Sequence, residues 1–190
     1  MSSKLIGFIG SAGCGKTTLA CALKEYFMLK QISTDVCTEY AREFVFNYGF
    51  PENPDSQYRL ALGQIEREDA LCSGSNKYIF SDSCVYLSYV YCMVLINKND
   101  SLQRKTVLAD IYKRFIISDL NRYHRLYYLS SIEPFDDGCK RDLESEKMIH
   151  DVMDGFIQVH KNLLPIVDVD ATIHDTEKRK QIVYDDLEGS

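Results

Sequence analysis

The sequence calls for an α/β fold, a doubly wound five-stranded parallel sheet with helices on both faces. Three of its features say so. Apolar runs of strand length alternate with longer helical patterns along the 190 residues. The first run leads at once into a glycine-rich turn, and that turn into an amphipathic helical stripe. No repeat, low-complexity tract or Pro/Gly/Ser-rich linker interrupts the pattern, so residues 1–190 read as a single domain.

Residues 5–9, Leu-Ile-Gly-Phe-Ile, form a buried first strand. Residues 17–29 set Leu19, Ala22, Leu23, Tyr26 and Phe27 on one helical stripe. A second strand falls at 35–38, and a helix containing residues 40–46 follows it. Residues 49–55 hold two prolines, each biasing its predecessor away from helix, and form a loop. Asp55 and Ser56 are the expected caps of the next helix, 57–71. Tyr58, Leu62 and Ile65 make its apolar face, with Gln57, Gln64 and Arg67 elsewhere. The third strand is 77–82, and two helical stretches run on to about residue 119. A fourth strand at 126–129, a helix at 142–163, a fifth strand at 165–169 and a helix at 176–187 complete the chain.

Hydrophobic residues make up 45% and charged residues 26%, a globular balance, and the net charge of -6 supplies no global basic field for nucleic acid. The cysteines at 14, 21, 37, 72, 84, 92 and 139 are odd in number and contain no CxxC pair, which argues for reduced thiols rather than a disulfide framework or zinc site. His124, His150, His160 and His174 have no metal-ligand spacing. No apolar run approaches the ~20 residues that span a bilayer, and the expected location is cytoplasmic.

Gly10-Ser11-Ala12-Gly13-Cys14-Gly15-Lys16-Thr17 fits G-x-x-x-x-G-K-[ST], and it both follows a strand and opens a helix, the context that gives a phosphate loop (P-loop) its meaning. The fold expected is therefore that of a P-loop NTPase. Its glycines let backbone N–H groups of Ser11, Ala12, Gly13, Cys14, Gly15, Lys16 and Thr17 turn inward onto phosphates, helped by the helix dipole. Lys16 is placed to reach the β- and γ-phosphates of ATP, the Thr17 hydroxyl to ligate Mg²⁺, and Thr18 to support the loop or the α-phosphate. Asp82, at the end of the third strand, would sit beside this loop and either hold Mg²⁺ or take a proton from an acceptor. An N-cap of a helix starting at Ser83 is the competing role for it.

On the acceptor side, Glu39, Tyr40 and Arg42 leave the carboxyl end of the second strand, where doubly wound sheets bind ligands. Glu39 can orient or deprotonate a hydroxyl, and Arg42 can clamp a phosphate or carboxylate; a surface ion-pair network explains the same residues. Tyr40, Tyr58 and Gln64 are candidates for contacting a base, and Arg67 with Arg42 for clamping an acceptor phosphate. Lys140 and Arg141, in the loop after the fourth strand, can close over a triphosphate.

These residues resemble NadR-type ribosylnicotinamide kinases and related P-loop kinases, many of them phage-borne. The likeness rests on the loop at 10–17, Glu39-Tyr40-Ala41-Arg42-Glu43-Phe44-Val45-Phe46, Leu62-Gly63-Gln64, Phe80-Ser81-Asp82 and Asp137-Gly138-Cys139-Lys140. It implies a five-stranded kinase with a mobile lid, phosphorylating a nucleoside-like hydroxyl with ATP in the cytoplasm, or in the host cytoplasm for a phage-encoded member. Two positions depart from the family pattern: Lys140 replaces an arginine, and Ser81-Asp82-Ser83 replaces Asp-Thr-Asp.

The leading expectation is thus a kinase of a nucleoside such as nicotinamide riboside or a deoxynucleoside, with Lys16, Asp82, Glu39, Lys140 and Arg141 serving transfer. A kinase of hydroxymethylated pyrimidine (5-hydroxymethyluracil) in DNA would need a local basic face, for which Lys98, Arg104, Lys105, Lys113 and Arg114 are candidates. A nucleoside-monophosphate kinase and a regulatory ATPase that binds a protein partner are further alternatives. No guanine-reading motif is present, and the compact reading makes an oligomeric AAA-type motor with a helical lid domain the less expected architecture.

Overall fold

The computed structural model describes residues 3–51, 53–98, 102–130, 143–169 and 175–189. The chain runs β1 (Lys4–Ile9), α1 (Lys16–Leu29), β2 (Thr34–Cys37), α2 (Tyr40–Tyr48), α3 (Pro54–Cys72), β3 (Tyr78–Ser81), α4 (Tyr86–Lys98) and α5 (Leu102–Ile111). A π turn (Tyr112–Ile116) and a 3₁₀ turn (Ile117–Asp119) continue α5, and β4 (Arg125–Leu129), α6 (Leu143–His160), β5 (Ile166–Val169) and α7 (Thr176–Glu188) follow. The strands form one all-parallel sheet in the order β2-β3-β1-β4-β5. The chain fills one side of β1 with β2 and β3 and the other with β4 and β5, so the carboxyl end of β1 is the switch point where such sheets open a crevice.

Two apolar layers hold the sheet, and the alternation of strand side chains assigns them. Ile6, Phe8, Tyr78, Phe80, Tyr127 and Leu129 face α1 and α7, meeting Leu19, Leu23, Phe27, Val183 and Leu187. The ring of Phe27 stands edge-on to both Tyr78 and Phe80, each 5.4 Å away. Leu5, Ile9, Ile79, Leu126 and Tyr128 face the opposite layer, with Tyr86, Val90, Ile116 and Phe156. A helix or strand buried this completely is stable because its apolar surface leaves water, at roughly 25 cal/mol per Å².

Three local expectations are corrected by the fold. Helix α3 starts at Pro54, and its cap is Asn53, whose Oδ1 accepts the Ser56 amide at 2.9 Å; Asp55 and Ser56 are already inside the first turn. Tyr58, Leu62 and Ile65 do pack against the core, partly buried, but the fully buried residues of α3 include Leu60 and Ala61 together with the polar Gln57, Gln64 and Glu68. Helix α4 begins at Tyr86, so Asp82 is not its N-cap. Cys14, Cys37, Cys84 and Cys92 are buried free thiols, as their scatter predicts. Among the described residues no helix is long and apolar enough to cross a membrane.

Candidate active site

The register of the central strands brings the site together. Gly7 of β1 and Cys37 of β2 both pair with Ser81 of β3, so the phosphate loop, Asp82 and Thr38-Glu39 emerge side by side at the carboxyl end of the sheet. The Asp82 amide donates to the Cys37 carbonyl at 2.9 Å, which extends the β2–β3 ladder by one bond and fixes the carboxylate's origin.

The loop turns through Gly13 (φ 77°) and Gly15 (φ 92°), left-handed values that an L side chain resists. Helix α1 starts immediately after Gly15, with Thr17 and Thr18 in its first turn. Lys16 Nζ donates to the carbonyls of Gly10 (3.0 Å) and Ser11 (2.7 Å) and lies 3.7 Å from Cys14 Sγ. Burial would push the Lys16 ammonium down, but Cys14, Tyr91, Glu39 and Asp82 around it outweigh that, and its pKa stands above the ordinary value. The lysine is therefore held as a cation inside the loop.

Thr17 is the hinge of the charged cluster. Its hydroxyl donates to Asp82 Oδ2 at 2.7 Å and accepts from Arg42 Nη2 at 3.2 Å. Arg42 Nε in turn reaches Glu39 Oε2 at 3.2 Å, so donor-side and acceptor-side candidates form one chain, Asp82–Thr17–Arg42–Glu39. Asp82 is only 4% exposed. Burial raises its carboxyl pKa above the usual range, and Glu39 adds to that, while the Thr17 hydrogen bond, Lys16 and Arg42 oppose it. Thr17 and Asp82 together offer two hard oxygens 2.7 Å apart, a donor set suited to Mg²⁺, which takes few protein ligands and completes its shell with phosphate and water.

The remaining acceptor candidates divide. Tyr40 packs its ring directly against Gly63 and lies beneath the Arg67 guanidinium, whose carbon is 4.8 Å from the ring centre. Arg67 also reaches Thr38 Oγ1 at 3.3 Å and pairs with Glu43. Gln64 is 5% exposed, and its amide is committed: Oε1 accepts the Tyr40 amide at 2.9 Å, and Nε2 donates to Ser81 Oγ at 3.1 Å. It joins the start of α2 to the end of β3. Lys140 and Arg141 lie outside the described residues.

Sequence reasoning missed the polar core behind Asp82. Glu68, with no exposed surface, accepts from Ser81 Oγ (2.6 Å), Tyr123 Oη (2.7 Å) and Arg122 Nε (2.8 Å). Tyr123 Oη accepts the Val85 amide at 2.8 Å, so this carboxylate braces both sides of the segment that carries Asp82. The legible signal was the spacing Gln57, Gln64, Glu68 on the same helical stripe as Leu60 and Ala61. Of the candidate basic face, Arg104 Nη1 donates to the Leu95 carbonyl and Arg114 to the Tyr58 hydroxyl at 2.5 Å. A cavity of 690 Å³ between α1 and β2, lined by Cys21, Lys24, Met28, Leu29, Val36 and Thr38 among others, contains no residue of the Asp82–Thr17–Arg42–Glu39 chain.

Similarity to known proteins agrees with this architecture. A solved deoxyadenosine kinase from M. mycoides, with products dCMP and a flexible dCDP bound, superimposes with a TM-score of 0.74 over 98% of this chain and 100% of its own, at 13% identity. NadR in complex with NAD and AMP-PNP superimposes at 0.73 over 96% of this chain at 20% identity, and NadR with NR at 0.70 and 22%. The chain spans about half of NadR, 49% and 51% of those two structures. No curated protein sequence matches it. The AAA_28 family model, described as an AAA domain, matches residues 5–177. A match running from the first strand into the first turn of α7, on a fold shared with P-loop kinases, places this chain in the AAA_28 family of AAA domains.

Proposed function

We propose that the chain is a Mg·ATP-dependent kinase that phosphorylates a hydroxyl of a nucleoside-like small molecule. One observation carries the reading: the phosphate-loop threonine and a strand-end aspartate are joined at 2.7 Å, and an arginine links them to a second, partly exposed carboxylate just past the end of β2. A second carboxylate so linked can orient or deprotonate a nucleophile, and the acceptor panel below separates a hydroxyl from water in that role. The structural likeness to a deoxyadenosine kinase and to NadR supports the same class.

The roles follow from position. Backbone amides of residues 11–17 hold the phosphates, Thr18 supports them, and Lys16 and the start of α1 balance their charge. Thr17 and Asp82 would hold Mg²⁺, which when bound neutralises charge on the β- and γ-phosphates. Asp82, buried against Thr17, belongs to this donor side. Glu39, with a side chain 28% exposed and held by Arg42, is the base for the acceptor hydroxyl. Tyr40 and Arg67 form the wall nearest the acceptor, and Gln64 holds that wall to β3. Lys140 and Arg141 are proposed as the lid on the transferring phosphate. Such a site accelerates by positioning and electrostatics, with no covalent intermediate.

The test is ADP formation from Mg·ATP across nucleosides, nicotinamide riboside, nucleoside monophosphates and 5-hydroxymethyluracil DNA, with products weighed by mass spectrometry. A nucleoside raising turnover at least about tenfold over water, with a singly phosphorylated product, supports the reading. Stimulation by a monophosphate or by DNA alone would reassign the acceptor. Turnover indifferent to every acceptor would replace the kinase with a regulatory ATPase.

A further inference from the structure

Arg179 lies in α7, 165 residues from the phosphate loop in sequence, yet its Nη1 donates to the Cys14 carbonyl at 2.8 Å. The side chain is 7% exposed, and its Nε is buried with no hydrogen-bond partner among the described residues. Burying a guanidinium and leaving one donor unspent is unfavourable, so the retained contact must be worth the loss. Arg179 Nη1 is also the nearest group to the pro-side-chain position of Gly15, 3.5 Å away.

A trans peptide points its carbonyl and the following N–H in opposite directions. Drawing the Cys14 carbonyl toward α7 therefore turns the Gly15 N–H away from α7, with Gly15 at φ 92° completing the turn. We propose that Arg179 is a positioning residue for the triphosphate. It orients the Cys14–Gly15 peptide so that the Gly15 amide faces the phosphates, and it fixes a positive charge behind the loop. The mount is rigid, because Asp175 caps α7 by accepting the Glu177 amide at 2.8 Å, and Val183 and Leu187 bury the helix against α1. The donor loop is thus braced by the last helix of the described chain as well as by its own.

The inference rests on the reading that this loop holds Mg·ATP, and direct binding separates the two. Fluorescent Mg·ATP binding, thermal midpoints and steady-state kinetics would be compared for the full chain, Arg179→Gln and Arg179→Lys. Wild-type chain that does not bind Mg·ATP sinks the parent reading. If wild type binds, Arg179→Gln is expected to weaken Mg·ATP at least about tenfold, the scale of a hydrogen bond from a charged donor. Arg179→Lys, which keeps the charge but not the fork of donors, should recover only part of that loss and remain about threefold weaker than wild type. The KM of the acceptor should stay within about twofold in both, which a general loosening of the fold would not produce. Equal Mg·ATP affinity in wild type and Arg179→Gln overturns the proposal, as does an equal loss for ATP and acceptor. Should Arg179→Gln fail to fold, Arg179→Lys decides: a loss of about threefold at an unchanged midpoint supports it, and unchanged affinity overturns it.

Discussion

Asp82 and Glu39 are both carboxylates at strand ends, and their surroundings give them different work. The Asp82 carboxyl sits above its ordinary range chiefly through burial. A raised folded-state pKa means its contribution to stability is present below the unfolded value, about 3.9, and is lost as pH rises through the folded one. At neutral pH the ionised carboxylate therefore weakens the nucleotide-free fold. Asp82→Asn, which still accepts from Thr17, is expected to raise the thermal midpoint of the free protein at pH 7 while cutting turnover about 100-fold or more. Differential scanning fluorimetry and kinetics on one preparation check both; a lower midpoint with intact turnover would contradict the assignment. Glu39→Gln should behave otherwise, lowering kcat by about 100-fold or more with the KM for ATP little changed, because in the proposed mechanism the lost group acts only on the acceptor.

Helix α3 carries the next level of organisation. Its small Gly63 admits the Tyr40 ring so closely that a methyl group there would overlap it. Gly63→Ala must push Tyr40 and its stacked Arg67 aside, at about 1–3 kcal/mol. The expected signature is a raised KM for the acceptor with the KM for ATP unchanged, since the displaced wall is the one proposed to line the acceptor. One turn further, Glu68 joins α3 to β3 and to the turn before β4 through Ser81, Arg122 and Tyr123. Glu68→Gln leaves Arg122 buried with only Asp69 and Asp119 opposite it, and should cost about 3 kcal/mol in urea denaturation. A change below about 0.5 kcal/mol would show that this network is not needed for the fold.

For the molecule as a whole, nucleotide binding and stability are one measurement. The loop, β3 and α7 meet at the phosphate cradle, so a ligand there ties elements from both ends of the described chain. At about 100 times its dissociation constant Mg·ATP adds about 2.7 kcal/mol, which for a domain of this size raises the thermal midpoint by about 5–10 °C. Removing Mg²⁺ with EDTA should remove most of that shift if Thr17 and Asp82 hold the ion. An equal shift without the metal would take Asp82 out of that role.

What the amino-acid order determined by itself is what short-range physics decides. The glycines and Lys16-Thr17 between an apolar run and a helical stripe specify a phosphate loop, because turn conformation and helix start depend on neighbouring residues alone. Alternating strand and helix patterns specify the parallel sheet, and the end of the third strand specifies Asp82's place beside the loop. The cap of α3 lies two to three residues before the positions its sequence suggests, since Asn53, Asp55 and Ser56 are all competent caps and Pro54 settles which of them sits outside the helix. Only tertiary structure decided that Gln64 and Glu68 turn inward and that Arg179 reaches Cys14. A glutamine, glutamate or arginine reads as solvent-facing until partners exist to meet its hydrogen bonds. Those partners, Ser81, Tyr123, Arg122 and the Cys14 carbonyl, are supplied by elements that are distant in sequence and adjacent once the sheet has closed.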